Sequence, residues 1–414
     1  MKKLPVITAL LLIFTLSAQA EVFFSGYAGM KGDFYSSSED SFTPALCFQT
    51  YFAGQLNLTR NLLVRTEFSM QTSDIVDKGP FVSTDASFCI DELSATYIKP
   101  FLGVVQYFNL FMGTFEPIGS DVFLQRQFGV ESFTSLITES WLGLKGSTAY
   151  PFYGVGGSYI VHMGSQPIAT GAFLYVNKEN SENERQLNLD WRFGMVRSWI
   201  SLDFALGIGA PMGTKRGDED VILLVDTLYM HSGVTLLLGN KYTTSLFLQG
   251  GFSNLPLHAG SDNKIESKDI YLLIEPRFVA ENFQAHLSLF SFPENTVNKL
   301  IFINDTLGMN LSIFTDKLYV KNNNITFGFH VTWTVTDKVK DSAISQNVNK
   351  NFLDLKDFVS VMTDSDHHIK VSPFVAFPLL SGTVHAMFQA RITDLKPDSW
   401  SSAFKLSLGY KTRL

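Results

Sequence analysis

Three acid and guanidinium pairs stand two residues apart: Arg65 with Glu67, Asp190 with Arg192, and Glu275 with Arg277. Glu92 and Asp203 complete a set of carboxylates inside otherwise apolar-alternating segments. Paired carboxylates can serve as general acid and base, and charges of mixed sign can set an electrostatic preference along a wall. The spacing decides which use is open. In an extended strand residues two apart share one face and lie about 6.6–6.8 Å apart along it. The same face would have to desolvate both charges in a buried sheet, at a cost a soluble core avoids.

Other residue types that could carry chemistry are present without a constellation around them. The chain holds eight histidines. By parity His286, His330 and His385 share the face of the charges, but with no second ligand or Ser-Asp partner beside them. His367 and His368, near Asp364 and Asp366 in "TDSDHHIK", could hold a divalent metal or stand as a solvated loop; adjacent side chains of an extended chain point apart, which favours the loop. No nucleophile elbow, phosphate loop or Cys-x-x-Cys occurs, so neither an enzymatic role nor a cofactor is expected. The Asn-x-Ser/Thr matches, such as Asn57-Leu58-Thr59, fall within strands and read as chance. Cys47 and Cys89 could form a disulfide in an oxidising compartment or remain two free thiols.

The elements that must position these residues alternate with period two from one end of the chain to the other. Leu46, Phe48, Phe52, Leu56 and Leu58 alternate with Gln49, Tyr51, Gln55 and Asn57. Ile200, Leu202, Phe204, Leu206 and Ile208 alternate with Ser201, Asp203, Ala205 and Gly207, and Phe327, Phe329, Val331 and Trp333 with Thr326, Gly328, His330 and Thr332. Alternation of this kind marks a strand with one apolar and one polar face. Tight turns such as "TRN", "VRS", "AEN" and "LLSG" alternate with long loops, 117–150 among them. The composition agrees. The chain is 45% hydrophobic and 14% aromatic with 37 Phe, but only 17% charged, low against a typical ~25%. No apolar run approaches the ~18 residues of a spanning helix, so membrane crossing would have to be by strands.

The pattern predicts an all-β fold: a single transmembrane antiparallel β-barrel of about eighteen strands, or sixteen if one hairpin is lost, with an apolar face in lipid, a polar face on a watery lumen, and a long third external loop. Residues 1–20, with Lys2, Lys3, an apolar core and Ala18-Gln19-Ala20, read as a cleaved signal peptide, leaving 21–414 for the barrel. Removing Lys2 and Lys3 leaves 30 basic against 39 acidic residues, which excludes nucleic acid as a probable class of partner. Trp191, Trp199 and Trp333 are read as outward residues at strand ends, suited to interfacial girdles. Pro276, mid-strand, argues for a bulge or a misplaced strand. Glu67, Glu92, Asp190, Asp203 and Glu275 would form an acidic belt near mid-height favouring cations, with Arg65, Arg192 and Arg277 one dipeptide nearer the short turns; alternatively the charges neutralise one another in pairs.

The closing segment "AFKLSLGYKTRL" puts Phe404, Leu406, Leu408, Tyr410 and Leu414 on one face. It resembles the C-terminal strand of Gram-negative outer-membrane barrel proteins, which the barrel-assembly machinery reads, with Leu414 where that group most often has an aromatic. "ELSATYIKP" followed by "NLFMGTFEPIG" is similar to a porin-type hairpin, through Glu92, Gly113, Phe115 and the Pro117/Gly119 turn. These resemblances imply an outer-membrane protein of a diderm bacterium: a porin or substrate-preferring channel for small hydrophilic solutes. The alternatives are a fatty-acid-type channel, a surface adhesin and a barrel enzyme. In general porins the third loop enters the lumen; here 117–150 would either do so or lie across the mouth. The solute and the oligomeric state are not specified by these residues.

Overall fold

The computed structural model of the chain describes residues 23–38, 42–77, 79–82, 86–138, 153–164, 166–177, 185–216, 219–223, 227–257, 270–293, 297, 303, 306–320, 323–335, 366–395 and 400–414. The expected signal peptide and the 139–150 part of the third loop lie outside them, as does Asp364.

Along the chain run β1 (Phe23–Ser36), β2 (Pro44–Thr59), β3 (Leu62–Gln71), β4 (Ser87–Phe101), β5 (Val104–Gly113), helix α1 (Val122–Phe128), β6 (Gly154–Met163), β7 (Ile168–Asn177), β8 (Arg185–Arg197) and β9 (Ile200–Arg216). There follow β10 (Glu219–Leu223), β11 (Tyr229–Gly239), β12 (Thr244–Pro256), β13 (Ile270–Val279), β14 (Gln284–Ser291), β15 (Leu307–Val320), β16 (Asn323–Val335), β17 (His367–Leu379), β18 (Gly382–Arg391) and β19 (Phe404–Arg413). Each barrel strand pairs antiparallel with its neighbours. β10 is an addition outside the closed ring: it pairs with the upper end of β9, while the lower part of β9 pairs directly with β11. Without it the barrel has eighteen strands.

Closure is made by β1 and β19, in register from Tyr27 opposite Arg413 to Tyr35 opposite Lys405. The Leu414 N–H then donates to the Gly26 carbonyl at 2.8 Å. Every strand edge of the ring is thereby paired, which hydrocarbon requires because it offers an exposed backbone no partner. The connections fall into two kinds, short turns on one rim and long loops on the other. The turn between β4 and β5 uses Leu102 and Gly103, both at positive φ (48° and 80°), the backbone a tight hairpin needs.

The outward parity is the apolar one. Leu110 is 71% and Phe88 69% exposed. Phe24, Phe52, Phe68 and Phe88 stack side by side across β1 to β4, with centroids 5.2–6.4 Å apart. Such exposed apolar area has an outlet only in lipid.

The inward parity departs from the expectation of a face bathed in water. From β5 to β14 it carries Phe111, Ile160, Phe173, Tyr175, Phe247, Tyr271, Leu273 and Phe290, all buried. They pack with Phe115, Ile118, Phe123, Leu124, Phe133 and Ile137 of the segment after β5 in one hydrophobic cluster inside the barrel. The third loop therefore enters the lumen along its described part, 114–138, and does not simply cover the mouth.

Pro276 causes neither a bulge nor a misplaced strand. β13 keeps its register, with Ile274 opposite Leu289 and Arg277 opposite His286, and only the ladder to β14 opens between those pairs. The lost donor is accommodated there.

Candidate functional site

The site is the inner wall at the level where the third loop enters. Its geometry begins with a bulge. Glu67 faces Glu92 and Phe68 faces Ile90, so Asp91 is an extra residue in β4. Its carbonyl accepts the Thr114 N–H at 2.8 Å. That carbonyl lies 2.3 Å from where a Cβ on Gly113 would stand, and Gly113 has φ +108°; only glycine fits this point, where β5 turns inward. Phe115 then stacks on Phe111 at 4.7 Å. Glycines in the wall receive the loop: a Cβ at Gly194 would stand 2.6 Å from the Phe123 ring, and one at Gly233 2.5 Å from Ile118.

Wall side chains hold the loop by its backbone. Arg192 of β8 pairs with Asp203 of β9 through both carboxylate oxygens, the Nε–Oδ1 bond being 2.9 Å, and donates to the carbonyls of Glu116 and, at 3.2 Å, Pro117. Gln249 of β12 donates to the Gly119 carbonyl and accepts the Tyr271 hydroxyl at 2.8 Å. Arg277 of β13 donates to Glu275 at 2.7 Å and to the Phe133 carbonyl at 2.8 Å, while Ser135 of the loop and Ser288 of β14 also donate to Glu275.

Within the loop, Asp121 precedes α1. Its carboxylate accepts Gln125 at 2.8 Å, Ser132 at 2.9 Å and the Phe133 N–H at 2.8 Å. Burial nevertheless raises its pKa above the ordinary aspartate value. Gly129, at φ 66°, caps α1 in the left-handed conformation. From α1, Arg126 reaches Glu92 of β4 at 2.7 Å and lies over the Phe115 ring, 4.9 Å from its centroid. Burial opposes the charge of Arg126, but Glu92 and Glu116 together raise its pKa. Glu116 is buried, and burial raises its pKa against the pull of Arg126, Arg192 and Arg65. Nearer the surface, Glu131 pairs with Lys241.

All the charged residues singled out in the sequence face inward, but they do not form one belt. Glu92 is matched by Arg126, Asp203 by Arg192 and Glu275 by Arg277. Asp190 accepts Tyr175 at 2.9 Å and stands 2.8 Å from His231 Nε2. Arg65 turns from Glu67 and donates its Nε to Gln55 at 2.8 Å. Glu67 is only 1% exposed. Of the two arrangements expected, this is the paired one: the counter-charge comes from the loop for Glu92, from the next strand for Asp203 and from the same strand for Glu275.

Sequence reasoning missed Arg126, Glu116, His231 and Gln249. Arg126 and Glu116 lie in a loop with no periodicity. Lys31 and Asp33, which pair at 2.9 Å with Lys405 3.2 Å from the same carboxylate, carry the same two-residue spacing as the other pairs and were legible by it.

The remaining candidates separate. No disulfide joins Cys47 and Cys89. They lie on β2 and β4 with β3 between them, and two strand spacings of about 4.7–4.9 Å each exceed the ~7 Å Cα limit for a bridge. Trp199 sits at the short turn after β8 and Trp333 near the long-loop end of β16, but Trp191 stands in the middle of β8, not at its end, donating to Thr170 at 2.9 Å. His330 accepts or donates with Ser312 at 2.7 Å, and both are buried. His286 lies 3.5 Å from Glu275, and His367 packs 5.4 Å from the Trp333 ring.

No protein-family model and no curated protein sequence matches the chain. Its architecture is similar to that of solved outer-membrane barrels at very low identity. OmpT, an outer membrane protein of Vibrio cholerae in its trimer form, is 9% identical, covers 95% of this chain and 99% of its own, with a TM-score of 0.35. Salmonella typhi OmpF in complex with daunomycin is 9% identical over 95% and 97%, TM-score 0.40. Escherichia coli Wzi, described as a carbohydrate-binding β-barrel involved in group 1 capsule assembly, is 10% identical over 98% and 87%, TM-score 0.45. What the chain has in common with them is the closed antiparallel β-barrel.

Proposed function

We propose that the chain is a substrate-preferring channel for small hydrophilic solutes, exported by cleavage after Ala20 and assembled by recognition of its last strand. The observation that carries this reading is the third loop held inside the barrel by side chains of the wall: Arg192, Gln249 and Arg277 bind its carbonyls. A loop fixed in that way narrows a passage and selects what enters; a wide diffusion pore would need no such anchoring. A catalytic role finds no support in the Ser312–His330 pair, because both residues are buried within the wall.

One observation favours a second reading, a barrel whose loops bind a surface partner while its lumen stays shut: the aromatic cluster spans the interior from Phe111 to Phe292. Single-channel recording separates the two. The purified protein in a planar bilayer is expected to give discrete steps in KCl, and deletion of 121–138 to enlarge them. Absence of steps from both proteins, with heat-modifiable folding retained, would overturn the channel reading.

A further inference from the structure

A half-open recess of about 350 Å³ lies between α1 and the short-turn ends of β1, β2 and β19. Its polar lining is Gln55, Arg65, Glu67, Gln125, Arg126 and Arg413, with Tyr27 as the aromatic element. That volume is at the small end of the range for small-molecule sites, ~300–1,000 Å³.

The donors in this recess exceed the acceptors. Arg65 spends its Nε on Gln55, and its two terminal nitrogens make no hydrogen bond among the described residues. The Arg413 side chain makes no hydrogen bond or ion pair among them. Arg126 is the most telling. Its side chain is nine-tenths buried, one terminal nitrogen is bound to Glu92, and the other, Nη1, is buried with no partner. A buried donor left unmatched costs free energy. Lys411 adds a further cation 5.0 Å from the Tyr27 ring. Against the guanidiniums of Arg65, Arg126 and Arg413 the lining sets the carboxylates of Glu67 and of the Leu414 terminus, while Glu92 is already bound to Arg126.

We propose that this recess binds a small oxyanion, the carboxylate or phosphate group of a passing solute. The guanidinium is a planar fork matched to such groups, and it binds them through paired N–H donors where an ammonium would offer a point charge. Chloride satisfies the charge but not the fork. The site deepens the channel reading, since solute would reach it through the lumen, yet it can be tested without conduction.

Inorganic phosphate is the probe, with acetate as the carboxylate arm. Equilibrium dialysis of the full chain in detergent against labelled phosphate, at constant ionic strength in chloride, is expected to show one saturable site per chain, displaced by acetate. Arg65→Gln and Arg413→Gln should each weaken binding at least tenfold, Arg65→Lys by less, and Arg185→Gln, far from the recess, not at all. Heat-modifiable migration checks that each variant is folded, and Arg126 is left intact because it anchors the loop. Linear, unsaturable uptake, or a saturable site unaffected by both Arg65→Gln and Arg413→Gln, would overturn the proposal. Saturable binding in a protein that never conducts would leave the site standing and remove the channel; conduction without binding would do the reverse.

Discussion

Replacing Arg192 with alanine tests the anchoring of the loop more sharply than any other single change. The Arg192 side chain is 3% exposed and Asp203 2%, and the guanidinium also lies 4.9 Å from the Phe123 ring centroid. If the loop stays in place, the substitution leaves Asp203 buried without its cation, a loss of roughly 3–5 kcal/mol for a pair of this kind. If the loop swings out, Asp203 and the freed carbonyls of Glu116 and Pro117 regain water, but Phe123 and Leu124 lose their burial, about 1.5–3 kcal/mol for each. The two costs are of similar size. Arg192→Ala should therefore populate both states.

The assay follows from that balance. Trypsin can cut after Arg126 only when α1 leaves the lumen, and fragment mass identifies the cut. Wild type should resist; Arg192→Ala should be cleaved and should lose several kcal/mol in urea unfolding from vesicles. The double variant Arg192→Met with Asp203→Leu should recover most of the unfolding free energy, since an apolar pair is tolerated where an ion pair was buried, yet remain cleavable because the carbonyls still lack their donor. An Arg192→Ala protein within about 1 kcal/mol of wild type and equally resistant would refute the reasoning, because neither route allows so small a cost.

Three further outcomes are expected. Leu206, 40% exposed at the middle of β9, should cost ~2–4 kcal/mol when changed to Arg, whereas Ser201→Arg on the inward parity should fold normally in vesicles; equal losses would contradict the lipid-facing assignment. Gly233→Val should displace Ile118, which a Cβ there already meets at 2.5 Å, and so expose Arg126 to trypsin while heat-modifiable folding persists. Glu116, with Oε2 buried and unbonded and its pKa raised by burial, stabilises the closed loop in its protonated form; that contribution is present at low pH and is lost as pH rises through the folded pKa. Trypsin cleavage should accordingly increase with pH, and Glu116→Gln should flatten the profile.

The barrel was legible because lipid imposes one rule on every strand. Ile200, Leu202, Phe204, Leu206 and Ile208 must all be apolar, whatever stands behind them, so the period-two signal survives without tertiary information. The inner face obeys no such uniform rule. Phe247, Tyr271 and Leu273 carry apolar inward residues that local periodicity assigns to no partner, since what they meet is a loop more than a hundred residues away in sequence. Gly113 was recognisable by type, and its structural need, a positive φ against the Asp91 carbonyl, is local. The reach of Arg192 to Glu116 is not.

The same distinction governs the sign of the lumen. A tally by parity counts carboxylates on the wall and predicts an attraction for cations. Coulomb interactions do not follow parity. Asp203 is cancelled by a guanidinium on the next strand, Glu92 by one that arrives on α1, and Glu275 by Arg277 two residues along. Each of these acids has spent its field on a partner within 3 Å, and screening by such a partner removes most of its influence on a passing ion. What remains to act on a solute is the set of charges without close partners, and these sit where α1 stops short of the wall. There Arg65 keeps both terminal nitrogens available and Arg413 its whole guanidinium. If the barrel conducts as proposed, its selectivity would depend less on how many acids line it than on where the third loop ends.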